Sequence, residues 1–96
     1  MPPVFEWNPR KADLNLKKHR LGFVEAVSIF SDPLARIFAD EGHSAAEPRE
    51  IIIGHLSSRK LALVCFTEID GETIRIISAR FTTRKEQRDY EEHITP

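Results

Sequence analysis

Three β-prone runs follow one another in the second half of this chain with turn signals between them, and no other feature limits the possible folds as strongly. Residues 50–56 and 61–68 are dense in Ile, Leu, Val and Phe, and the polar stretch Ser57-Ser58-Arg59-Lys60 separates them. Residues 73–81 follow Asp70-Gly71, a pair that favours hairpin turns because glycine takes the positive φ such turns require. Strands joined by connections this short pair antiparallel. Residues 34–38 form a further strand candidate, followed by an acidic turn around Asp40-Glu41-Gly42.

The first half reads differently. Residues 4–7 are a short aromatic strand that stops at Asn8-Pro9. Asn8 suits a helix cap, and Pro9 suits the first helical position because its missing N–H would have had no partner there. The helix should run to about His19 with Ala12 and Leu16 inward, and Gly22 then breaks it. A second helix is predicted over 23–30, with Phe23, Ala26, Val27 and Phe30 at helical spacing and Asp32-Pro33 as its stop. Near the C-terminus, Thr83 and Glu86 have the spacing of a capping box, so a last helix should reach about His93, with Gln87, Tyr90 and Ile94 along one side. The order β-α-α-β-β-β-β-α implies an α+β fold, a mostly antiparallel sheet with helices packed on it.

The 96 residues suit a single domain spanning 1–96. With 41% apolar and 30% charged residues, the composition excludes a disordered tail or a cysteine-rich secreted scaffold. The longest apolar run, residues 61–66, falls far short of the roughly 20 residues a membrane span needs. No secretion signal is visible and one cysteine, Cys65, sits in that run, so the expected setting is the reducing cytoplasm. Net charge is −1, yet the charges are segregated. Residues 9–20 hold Arg10, Lys11, Lys17, Lys18 and Arg20 against Asp13, and residues 74–88 hold Arg75, Arg80, Arg84, Lys85 and Arg88 against Glu86. If these stretches share a face, a nearly neutral protein can still attract phosphate.

Phe5-Glu6-Trp7-Asn8-Pro9-Arg10-Lys11, then Lys17-Lys18-His19, then Phe23 with Glu25-Ala26, resembles the opening of the BrnT toxins. Ile51-Ile52-Ile53-Gly54-His55 is similar to that family too, as is Ile74-Arg75-Ile76-Ile77-Ser78-Ala79-Arg80 with Thr82, Thr83, Arg84, Glu86 and Tyr90. The resemblance implies a bacterial type II toxin of RelE-like fold that cleaves RNA. It also implies a partner of the ribbon-helix-helix BrnA type, a hetero-oligomer with it, and operator DNA bound only through that antitoxin. Three positions depart from the pattern: Asn8 stands for the usual Asp, Arg20 for Gly, and Phe81 for a basic residue. Two alternatives remain open, a gyrase-inhibiting toxin of the ParE kind and an interaction module without catalysis.

Metal-free RNA cleavage needs a base for the 2′-OH, cations for the phosphorane charge and an acid for the leaving oxygen. His55, near a strand end, and Glu68, closing the next strand, are candidates for the base. Arg80 ends the last strand, where its guanidinium could set two donors against a phosphate or pair with a carboxylate. Strand alternation puts Arg80 on a face with Ile74, Ile76 and Ser78, and Arg75 on the other face with Ile77, Ala79 and Phe81. Arg84, Lys85 and Arg88 open the last helix as phosphate ligands or a solvated face, and Tyr90 is a proton donor, a stacking platform or a packing residue. The four histidines and one cysteine have no zinc-ligand spacing, so no metal or other cofactor is expected.

Overall fold

The computed structural model describes residues 3–40 and 48–94, so most of the expected acidic turn after Asp40 lies outside the described residues. Its elements follow the order read from the sequence: β1 (Val4–Glu6), α1 (Pro9–His19), α2 (Phe23–Ala26), a 3₁₀ turn (Val27–Ser31), β2 (Arg36–Ala39), β3 (Glu50–His55), β4 (Leu61–Ile69), β5 (Thr73–Phe81) and α3 (Arg84–Ile94). Asn8 caps α1 by accepting from the backbone N–H groups of Arg10 and Lys11 at 2.9 and 3.2 Å. The left-handed residue that ends α1 is Arg20, at φ 60°, and Gly22 instead opens α2. The single helix expected over 23–30 is a turn of α-helix that tightens into 3₁₀.

The five strands are ordered β1-β5-β4-β3-β2. β2 through β5 pair antiparallel, as the short turns after β3 and β4 require for β3, β4 and β5, and Asp70 and Gly71 both take positive φ between β4 and β5. β1 instead joins β5 in parallel, matching Val4 with Thr73 and Glu6 with Arg75. The sheet is therefore mixed rather than mostly antiparallel. Hairpin reasoning does not reach β1, because the rest of the chain connects it to its neighbour.

One face of the sheet carries the main core. Leu21, Phe23, Ala26 and Ile29 pack against Ile52, Val64, Phe66 and Ile76. Phe30 bridges Phe5 and Phe66, with ring centroids 5.1 Å from each. No helix among the described residues is long and apolar enough to cross a membrane.

β5 carries a bulge. Cys65 pairs with Ser78, but the next residue, Phe66, pairs with Ile76, so Ile77 is the extra residue. Before the bulge Ile74 and Ile76 face the main core; after it Ala79 and Phe81 do. Arg80 therefore shares the opposite face with Arg75, which corrects the assignment from simple alternation. Beyond the three residues paired with β1, β5 has an open edge, and Asn15 of α1 fills it at Ala79. Its carboxamide accepts from the Ala79 N–H at 3.1 Å and donates to the Ala79 and Leu21 carbonyls at 2.8 and 3.0 Å. The expectation that Leu16 lies inward is corrected with it: Asn15 is buried and Leu16 is half exposed.

Candidate active site

The face opposite the main core is only partly covered, and α3 is the element that covers it. Thr83 and Glu86 form the expected capping box, each side chain taking the other's backbone N–H, at 2.9 and 3.2 Å. Tyr90 is the buried anchor: its ring packs on Ile53 and Leu61, and its hydroxyl donates to the Leu34 carbonyl at 2.9 Å. Gln87 stays exposed, and the side chain of Ile94 lies outside what is described. A cleft lies on each side of α3, and Tyr90 lines both.

The first cleft, about 310 Å³, is lined by His55, Arg59, Lys60, Thr82 and Gln87 among others. His55 ends β3 and is held by Asp32, whose Oδ2 accepts from the His55 backbone N–H at 2.7 Å and lies 3.3 Å from its Nδ1. Asp32 Oδ1 accepts from the Leu34 N–H at 2.9 Å. Burial opposes ionisation of Asp32, but these two amides and the imidazole more than offset it and hold the carboxyl below its usual range. Gly54 makes the approach possible, because a Cβ there would lie 2.8 Å from Ala35 Cβ and 3.0 Å from Asp32 Oδ2. A carboxylate at Nδ1 fixes the ring and leaves Nε2 to exchange protons.

Two cations come from the turn between β3 and β4. Arg59 takes φ 73° there, and its N–H donates to the Leu56 carbonyl at 2.8 Å. Lys60 Nζ lies 5.3 Å from the centroid of Phe81, so the aromatic ring seats a cation where a basic side chain was expected.

Arg80 is engaged elsewhere. Its two terminal nitrogens bind the two Glu86 oxygens at 2.8 Å each. That fork, acting against burial and with help from Thr83, holds the Glu86 carboxyl down at about 2. The second cleft, about 320 Å³, contains Glu86 with Arg36, Phe38, Leu63 and His93. The remaining sequence candidates are not among the residues that line the His55 cleft. Leu61 is opposite His55, whereas Thr67 and Glu68 are opposite Arg75 and Ile74, placing Arg75 and Glu68 roughly 20 Å or more along the sheet. Arg75 is bound to Glu6 at 2.9 Å. Arg84, Lys85 and Arg88 are exposed on α3. Sequence reasoning missed Asp32, seen only as a helix stop, and Arg59 and Lys60, seen only as a polar turn. Two positive charges four and five residues after a strand-ending histidine were the available signal. Among the described residues no group of three or more His, Cys, Asp or Glu side chains could hold a metal.

Comparison with known proteins agrees with this architecture. A search of curated proteins finds no match. The crystal structure at 1.1 Å of the Brucella abortus ribonuclease toxin BrnT is similar, with a TM-score of 0.65 and 23% identity over 88% of this chain and 100% of that one. Residues 7–86 match the family described as the ribonuclease toxin, BrnT, of type II toxin–antitoxin systems. With most of its length covered by that match, this chain belongs to the BrnT family of ribonuclease toxins.

Proposed function

We propose that this chain is a toxin of RelE-like architecture that cleaves RNA in the first cleft without a metal cofactor, and that a ribbon-helix-helix antitoxin of the BrnA type neutralises it. The observation that carries the chemistry is His55, its Nδ1 side against Asp32, in a cleft whose lining supplies two cations, Arg59 and Lys60, alongside one carboxylate, Glu91. His55 Nε2 takes the proton of a ribose 2′-OH as that oxygen bonds to the adjacent phosphorus. Arg59 and Lys60 stabilise the charge on the non-bridging oxygens, the P–O5′ bond breaks, and solvent in the open cleft supplies the proton to the leaving oxygen. The products are a 2′,3′-cyclic phosphate and a 5′-hydroxyl.

Arg80 and Tyr90 support the cleft from behind in this scheme. Arg80 fixes the start of α3 through Glu86, and the Tyr90 hydroxyl is committed to Leu34. Single-turnover cleavage of labelled RNA in excess EDTA is the test. Wild type should leave cyclic phosphate ends, and His55→Ala should slow cleavage by about 10²–10⁴ with an unchanged melting temperature. Activity lost in EDTA and restored by Mg²⁺, or full activity in His55→Ala, would refute the mechanism. Inhibition of gyrase without RNA cleavage would replace it with the ParE-like alternative.

A further inference from the structure

The open edge of β5 borders another concave surface, apart from the two clefts beside α3. Two grooves lie between α1 and β5, of about 280 and 220 Å³, and they run into one another at Lys11 and Ile77, which line both. Trp7, Asn8 and Arg75 line the first, and Lys18, His19 and Ser78 line the second. Ser78 is exposed because the bulge at Ile77 turns it away from the main core.

The charge on this channel is one-sided. α1 supplies Lys11 and Lys18 to its lining, flanked on the same helix by Arg10 and Lys17 against Asp13, and Lys11 and Lys18 have no ion pair among the described residues. Glu6, the acid in the first groove, is held by Arg75. Arg10 and Lys11 occupy the first helical turn, where the macrodipole favours anions, so helix stability does not account for them. Closely spaced like charges repel unless a counter-charge arrives.

We infer that this channel binds the sugar–phosphate backbone of single-stranded RNA and leads the strand along β5 toward the His55 cleft. The two surfaces are joined by one element: Ile77 and Ser78 line the channel, and Phe81, at the end of the same strand, lines the cleft. The inference rests on the ribonuclease reading, and its test separates the two. A short 2′-O-methyl RNA oligonucleotide binds but cannot be cut, because its 2′ oxygen is blocked. Its affinity is measured over a series of salt concentrations by fluorescence anisotropy.

Each lost contact with a single-stranded phosphate lowers the slope of log K against log salt by about 0.7, so Lys11→Gln with Lys18→Gln should lower it by about 1.4. Affinity at low salt should fall about tenfold or more. Arg84→Gln with Lys85→Gln, removing as much charge from α3, should leave the slope near the wild-type value. An unchanged slope in the folded α1 variant, or equal losses from the α1 and α3 variants, overturns the channel while leaving wild-type cleavage of unmodified RNA to support the ribonuclease reading. Weakened binding of the antitoxin with an intact RNA slope assigns the channel to a protein partner and overturns it too. A wild-type protein that neither binds nor cuts RNA ends both.

Discussion

Replacing Asn15 with alanine removes the carboxamide that stands in for a missing strand at Ala79. Three backbone groups then lose a partner: the Ala79 N–H, the Ala79 carbonyl and the Leu21 carbonyl, in residues no more than 1% exposed. A buried polar group left unpaired costs about 1–3 kcal/mol. Water admitted by the shortened side chain recovers part of that, and about 3–5 kcal/mol should remain, a large share of the about 5–15 kcal/mol that holds a small domain together. For a domain near this size, each kcal/mol moves Tm by about 4–8 °C, so thermal melts should show a fall of at least about 12 °C. Asn15→Asp sharpens the test. It keeps the acceptor for the Ala79 N–H but turns a carboxylate toward two carbonyls. It should be less stable than the alanine variant at neutral pH and recover in acid, where the protonated carboxyl regains one donor. An alanine variant melting within about 4 °C of wild type would show that the amide is not what closes this edge.

Glu86 should make stability depend on acidity. Its folded-state value of about 2 lies below the ordinary 4.5, so the stabilisation is complete above 4.5 and lost as pH falls toward 2. The Arg80 and Glu86 side chains are 37% and 30% exposed, and solvent screening reduces the effect to about 1 kcal/mol, visible as a flatter acid limb in Glu86→Gln. Gly54→Ala should cost about 1–3 kcal/mol by pushing on Ala35 and Asp32, and should shift the His55 ring resonances in NMR spectra. Arg20→Gly should raise stability by about 0.5–1 kcal/mol in denaturant melts, because glycine relieves the left-handed backbone at the end of α1. Burial and the neighbouring Asp40 raise the Cys65 thiol above its ordinary value, so native protein should react slowly with iodoacetamide and unfolded protein quickly.

The order of elements was legible because its signals are local: the Asn8-Pro9 start, the Asp70-Gly71 turn, the Thr83–Glu86 box. What escaped depends on partners distant in sequence. Nothing in Ile74-Arg75-Ile76-Ile77-Ser78-Ala79-Arg80 says which residue is looped out, since apolar side chains occupy both alternating sets. Only the pairing with β4 decides that, and with it the face of Arg80. Asn15 reads as an ordinary polar position on a helix until the open edge of β5 is placed beside it. His55 was a candidate from its type and place at a strand end, whereas Asp32, 23 residues earlier, comes to it only through the packing of Ala35 on Gly54.

The attachment of α3 has a kinetic consequence. Described contacts that fasten it to the body are few: the Arg80 fork, the Tyr90 anchor and a hydrogen bond from Arg36 to the His93 carbonyl at 3.3 Å. The strands, by contrast, are linked along their whole lengths. The helix therefore forms its own low-energy opening unit, and its amides should exchange with solvent deuterium well before those of β4. Because α3 walls both clefts, a single detachment dismantles them together while the sheet stays folded. Limited proteolysis of the free toxin should then cut first within α3, and whatever clamps that helix in the cell would govern the lifetime of the protein as well as its activity.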